Sequence, residues 1–193
     1  MDCMNDKWKR SIKFSLTIAV ITFVLAAIFS SMSSTLLSKV SWMIGLIIVL
    51  IIVCIGILFD MLGIASTAAK EAPLHAMAAE KVPGAKEAVI IHKNADRFAS
   101  FCNDVIGDIS GIVSGSALTI VIIEITHLIR GNTDETLQIV LSIILTSIVA
   151  ALTVGGKAIG KYFAIHSSVK ILLITGKIAY FIHDKFKIKL LPK

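Results

Sequence analysis

The chain has 193 residues, of which 56% are hydrophobic and 17% charged, and its mean hydropathy is +0.88. This composition is typical of a membrane protein and excludes an ordinary soluble domain. The net charge of +6 comes without an arginine-rich or aromatic-interleaved patch, so we expect no nucleic-acid partner. The three cysteines are scattered and match no zinc or redox spacing, so we interpret them as small apolar residues.

Four stretches are apolar and long enough to cross a bilayer as helices. They cover residues 12–32, 40–62, 97–129 and 137–154. A hydrocarbon core of about 30 Å needs about 20 helical residues, because each residue adds 1.5 Å. We therefore predict an all-α fold, a polytopic membrane bundle with four transmembrane helices.

The segment between the second and third spans is mixed and charged. Pro73 and the Pro83-Gly84 pair are predicted breaks, with one short helix between them and another over residues 85–92. Asn94 is predicted to cap the helix that follows. We interpret residues 64–96 as an amphipathic juxtamembrane hairpin at the membrane surface. An ordinary soluble loop is the alternative.

A further apolar stretch, residues 169–182, follows the fourth span. Lys170, Lys177 and Asp184 recur every seven residues, which keeps a narrow polar edge along a helix. This pattern favours a C-terminal interfacial helix over a fifth span. The tail, residues 185–193, is basic.

The basic residues predict how the chain is oriented in the membrane. With four spans, 17 of the 19 lysines and arginines fall on one side, and only Lys39 and Arg130 fall on the other. The basic side faces the cytoplasm, according to the positive-inside rule. We therefore expect a multi-pass protein of the plasma membrane with both termini in the cytoplasm.

A stripe of small residues begins the third span. Gly107, Gly111 and Gly115 are four apart, with Asn103 one turn earlier, so they share one helix face. Such stripes let helix backbones approach closely in a bilayer. They predict helix packing and a homodimer.

Acidic residues cluster at the same depth as this helix start. Asp60 ends the second span, Asp104 and Asp108 begin the third, and Lys157 ends the fourth, all on the cytoplasmic side. Carboxylate and amide oxygens, including Asn103, suit a hard cation such as Mg²⁺. Three alternatives stay open: the acids hold a cation, they pair with Lys157, or all of these groups extend into headgroup water.

Enzyme motifs are missing from the sequence. It contains no P-loop, GxSxG, HExxH or CxxC pattern, and no nucleophile constellation is evident. We therefore expect no enzymatic activity and no cofactor other than a bound Mg²⁺ ion.

The hairpin carries a resemblance to a known family. Pro83-Gly84-Ala85-Lys86-Glu87-Ala88, followed by Asn94-Ala95-Asp96-Arg97-Phe98, resembles the PGA(R/K)xA and NP(E/D)RF motifs of the cyclin-M/CorB/CorC transmembrane domain. The resemblance extends over residues 40–182. It implies three transmembrane helices, a hairpin of short juxtamembrane helices, a dimer, and a role in magnesium and cobalt transport or efflux.

The family's cation site includes a serine near the end of its first helix, an asparagine in an IGN motif and a glutamate in a GExxPK motif. Asp60 falls about where the serine is expected. Asp108 of Ile106-Gly107-Asp108 takes the place of the asparagine, two residues later than an ungapped count. Gly156 to Lys161 resembles GExxPK, but Lys157 replaces the glutamate and Gly160 the proline.

These observations divide the chain into residues 1–39, with the N-terminal segment and an extra first span, and a family-like domain over residues 40–193. The sequence stops where the family's cytoplasmic nucleotide-sensing region would begin, which leaves a separate regulatory subunit as an open partner. We predict a divalent-cation transporter using Asp60, Asn103, Asp104 and Asp108. The alternative is a non-transporting scaffold or partner subunit, in which a Lys157–Asp salt bridge replaces the ion.

Overall fold

The computed structural model describes residues 2–37, 40–130 and 135–186, and every regular element within these ranges is a helix. The helices are α1 Asp2–Leu37, α2 Trp42–Ala68, α3 Glu71–Ala79, α4 Ala85–Lys93, α5 Ala95–Ser100, a π-helix Phe101–Gly107, α6 Asp108–Arg130, α7 Glu135–His166 and α8 Ser168–Phe186. The all-α prediction is confirmed. Most of the predicted basic tail, residues 187–193, lies outside the described residues.

Four of these helices are long and apolar enough to span a membrane. The candidate spans are Ile12–Ser33, Trp42–Ala68, Ala95–Ile129 and Glu135–His166. Their number agrees with the four predicted spans, and α8 is not among them, as expected. No residue in the most apolar windows of the first and fourth spans is buried, so their apolar side chains lie at least partly on the surface of the described structure.

The described residues form two compact units. The first comprises Met1–Cys54 and Asp108–Ala151. Its core includes Val49 of α2 together with Ala117, Leu118, Val121 and Ile122 of α6. The spacing of the four α6 residues places them on one helix face. In the same unit α1 packs along α6, where the hydroxyl oxygens of Ser30 and Ser116 lie 3.5 Å apart.

The second unit comprises Ile55–Gly107 and Leu152–Lys193. Its core is formed by Leu74 of α3, Ala88 and Ile91 of α4, Leu172 of α8 and Ala69. Helix α4 packs against both α3 and α8. The short helices α3 and α4 and helix α8 therefore share one apolar core.

The predicted hairpin is correct in its centre and wrong at its start. Helix α4 follows the Pro83-Gly84 break, and Gly84 has a φ of +82°, a conformation that glycine adopts without a Cβ penalty. Residues 64–68, however, belong to α2, so the hairpin begins only with α3. Pro73 does not break the chain, because it lies in the first turn of α3, where a missing N–H costs no helical hydrogen bond.

The predicted continuous helix over residues 97–129 differs from the structure in its start, its cap and its regularity. The helical path is unbroken from Ala95 to Arg130, but seven of its residues form a π-helix. Asn94 occupies the cap position before α5, yet its side chain makes no capping bond; its amide nitrogen donates to the carbonyl of Ile90 instead. The run therefore begins without the predicted cap.

Candidate functional site

An ion pair joins α2 and α7 within the second unit. The Nζ atom of Lys157 lies 3.7 Å from Oδ1 of Asp60, and the side chains are 32% and 17% exposed. The distance is that of an ion pair and exceeds the length of a good hydrogen bond. Since both groups are mostly withdrawn from solvent, their attraction is screened less than that of a surface pair. Lys157 thus neutralises one of the carboxylates predicted to bind a cation.

Gly107, the last residue of the π-helix, lies beside this pair. A Cβ placed on Gly107 would be 3.7 Å from Lys157 Nζ and 4.0 Å from Asp60 Oδ1. It would also lie 3.5 Å from the carbonyl oxygen of Cys102. Gly107 therefore lies in contact with the ion pair, although a Cβ there would make only ordinary van der Waals contacts.

Asn103 packs against α2 one turn beyond Asp60. Its Oδ1 atom is buried and accepts no hydrogen bond from any residue that the structure describes. The same oxygen occupies the space that a Cβ of Gly63 would need. Buried polar atoms without a partner are uncommon in folded proteins and call for an explanation.

The other two predicted ligands, Asp104 and Asp108, do not take part in this ion pair. Asp104 and Asp108 are both exposed, and neither forms an ion pair with another residue in the described ranges. Asp104 belongs to the π-helix and Asp108 begins α6. No three His, Cys, Asp or Glu side chains among residues 2–37, 40–130 and 135–186 lie close enough to share a metal ion.

The three glycines of the predicted stripe are not equivalent. Gly107 is buried beside Lys157 and Asp60, whereas a Cβ at Gly111 or Gly115 would meet nothing within 4 Å. The open surface at Gly111 and Gly115 means that no described part of this chain packs closely against them. Of these three glycines, only Gly107 therefore lies against another described part of the chain.

Two features of the site were not predicted. Gly63 makes room for Asn103, and an isolated glycine within an apolar helical run was the available indication of a close approach. The π-helix had no indication in the sequence. Such π-helical turns are rare and frequently occur at functional sites.

Comparison with protein-family models, curated proteins and solved structures gives no match for this chain. The resemblance of the hairpin motifs to the cyclin-M/CorB/CorC transmembrane domain therefore stays a prediction from the sequence.

Proposed function

We propose that this chain is an integral membrane protein that does not transport cations and that acts as a helical scaffold or partner subunit. The observation that supports this proposal is the ion pair of Lys157 and Asp60, with its 3.7 Å separation. In this arrangement the ammonium takes the position that a bound cation would otherwise hold.

The electrostatic argument concerns what Lys157 does to a second cation. A carboxylate attracts a divalent ion, but an ammonium a few ångströms away repels it, and both effects grow as water is excluded. Lys157 stands where the resemblance implies an acidic ligand. The substitution reverses the charge, so the site loses an attraction and gains a repulsion.

The proposal includes the membrane arrangement expected from the sequence. The four candidate spans cross the plasma membrane, and both termini lie in the cytoplasm with the basic segments. Two copies associate through the open face at Gly111 and Gly115. No enzymatic activity is part of this role.

The test is Mg²⁺ flux into proteoliposomes that contain the full chain. We expect wild-type protein to show no flux above empty vesicles, and Lys157→Glu to gain Mg²⁺ binding because it restores a carboxylate beside Asp60. Lys161→Glu is the matched control, since Lys161 is exposed and one turn further along α7. Mg²⁺ flux through the wild-type protein would overturn the proposal.

One observation favours a second candidate, divalent-cation transport of the magnesium and cobalt type. The buried Oδ1 of Asn103 has no partner among the described residues, and a cation held together with Asp60 would supply one. This candidate requires Lys157 to turn away when the ion binds. It predicts wild-type flux of Mg²⁺ or Co²⁺ that is lost in Asp60→Asn and in Asn103→Ala.

A further inference from the structure

One face of α7 is exposed over most of the second half of the helix. Ile148, Leu152 and Ile159 on this face are 51%, 51% and 63% exposed. Tyr162 and Phe163, one turn beyond Ile159, are 60% and 55% exposed. Steps of three, four and seven residues place these side chains on one side of the helix. The face is therefore open to whatever surrounds the protein.

The end of this face carries a cluster of three rings. The rings of Tyr162 and Phe163 meet edge to face, with their centroids 5.9 Å apart. The ring of His166 lies against that of Tyr162 at 4.1 Å, and its Nδ1 is 3.0 Å from the carbonyl oxygen of Tyr162. The exposed face of α7 thus changes from aliphatic to aromatic and then to polar towards the end of the helix.

The length of α7 relates this change to the thickness of a bilayer. The helix has 32 residues and is about 48 Å long, whereas the hydrocarbon core of a bilayer is about 30 Å thick. Its 21 residues from 136 to 156 carry no charged side chain and cover about 31 Å. Lys157 is the first charged residue after them, and the three rings follow. The uncharged stretch therefore matches the hydrocarbon core, and the rings lie just beyond its end.

We propose that Tyr162, Phe163 and His166 lie in the headgroup layer of the bilayer, which covers the exposed rings. Amphipathic rings are enriched at membrane–water interfaces, where an apolar ring body and a polar tip are both accommodated. In water, the exposed apolar area of the two larger rings would be unfavourable. This placement rests on the membrane location that is part of the proposed function, and it adds the level at which α7 leaves the bilayer.

A protein is a poorer occupant of this face than lipid. Close approach of a second copy in a bilayer requires small side chains, whereas Ile148, Leu152 and Ile159 are bulky. A water-soluble partner could cover the rings, but it could not follow the same face into the uncharged stretch. Lipid covers both parts, with acyl chains along the aliphatic residues and headgroups around the rings.

The level of the rings also gives the level of the ion pair. Lys157 precedes Tyr162 by five residues, which is about 7 Å along the helix axis. The pair of Lys157 and Asp60 therefore lies at the boundary of the hydrocarbon layer. An unpaired ammonium or carboxylate is costly at that depth, which favours the observed pairing.

The test is tryptophan fluorescence of the full chain in vesicles of phosphatidylcholine brominated either near the headgroup or near the ends of the acyl chains. The native Trp8 and Trp42 are replaced in a Trp8→Phe/Trp42→Phe background. Phe163→Trp is expected to be quenched at least about twofold more strongly by the lipid brominated near the headgroup, because its ring lies at the interface.

Ile148→Trp is the matched control. Ile148 lies on the same face with nearly the same exposure, but 15 residues earlier, about 22 Å along the helix. It is expected to show the reverse preference, with stronger quenching by the lipid brominated near the chain ends. Both positions are exposed, and thermal unfolding midpoints equal to that of the background show that the variants keep the native fold.

The possible outcomes separate this placement from the membrane location itself. Quenching of Ile148→Trp alone would leave the rings in water and overturn the placement, while the membrane span would stand. Stronger quenching of Phe163→Trp from the chain ends would put the rings inside the hydrocarbon layer and also overturn it. Quenching of neither variant would refute the membrane location, and the placement with it.

Discussion

The backbone of Gly176 in α8 lies directly against the backbone of Gly84, the residue that precedes α4. A Cβ on Gly176 would overlap the carbonyl oxygen of Gly84 and would lie 2.8 Å from the amide nitrogen of Ala88. Backbone atoms cannot rotate away as a flexible side chain can. This glycine pair therefore sets how closely α8 packs on the hairpin.

The Gly176→Ala variant should lose stability because the added methyl group forces α8 away from α4. Overpacking a tight contact costs about 1–3 kcal/mol. Gly155→Ala is the matched control, because nothing lies within 4 Å of its Cβ position and alanine favours a helix over glycine by about 1 kcal/mol. Thermal unfolding in detergent is the measurement. A midpoint for Gly176→Ala equal to that of Gly155→Ala would refute the close approach.

His92 forms a hydrogen bond with the last turn of α2. Its Nδ1 lies 3.1 Å from the carbonyl oxygen of Ser66, so Nδ1 must carry the proton that is donated. Ser66 is in the last turn of α2, where carbonyl groups lack helical partners. We expect His92→Ala to lower the free energy of unfolding by about 1–2 kcal/mol, because a half-buried carbonyl loses its donor.

His75→Ala provides the control for that variant. The His75 side chain is exposed and contacts Glu71 at 3.1 Å within α3. Pairs of this kind on a helix surface contribute about 0.2–0.5 kcal/mol. The two variants should therefore lose clearly different amounts of unfolding free energy, measured by chemical denaturation. Equal losses would contradict the role assigned to His92.

The ion pair of Lys157 and Asp60 should show energetic coupling. Lys157→Met leaves a carboxylate that is only 17% exposed without its partner. The expected cost lies between the roughly 1 kcal/mol of an exposed pair and the roughly 3 kcal/mol of a buried one. Asp60→Asn/Lys157→Met should recover part of that loss, since neither charge remains.

A double-mutant cycle on unfolding free energies measures this coupling, with Lys161→Met as a control at an exposed lysine on the same helix. Strictly additive effects of the two single substitutions would mean that the pair contributes nothing. The cycle would then remove the main support for the proposed non-transporting role.

The proposed homodimer depends on the open glycine face of α6. Gly115→Leu should reduce the dimeric fraction in vesicles, because close helix approach in a bilayer requires small side chains. Gly155→Leu makes the same change at an open position of α7. Single-molecule photobleaching counts subunits directly, and an unchanged dimer fraction in Gly115→Leu would rule out this face.

Local signals in the sequence were sufficient to predict the boundaries of some helices but not of others. The start of α4 was predictable because Pro83-Gly84 ends one element and permits the next. The end of α2 was not, since residues 64–68 are small or apolar and compatible with both a helix and a loop. Secondary structure there is decided by tertiary contacts such as that of His92 with Ser66.

The candidate site also has features that the sequence could predict and features that it could not. Pairing of Lys157 with Asp60, Asp104 or Asp108 was one of three open alternatives, and the structure shows it with Asp60. That pairing depends on the offset between two helices that are distant in sequence, which periodicity does not encode. The π-helix was missed for a related reason: an extra residue per turn leaves the apolar pattern nearly unchanged over seven residues.

The packing of α8 on α4 has a consequence for biosynthesis. Helix α4 leaves the ribosome well before α8, and two candidate membrane spans are made between them. During that interval the apolar face with Ala88 and Ile91 lacks the cover that Leu172 later provides. Exposed apolar surface in a nascent chain invites misassociation. The second unit is therefore completed only late in translation, after α8 has been made.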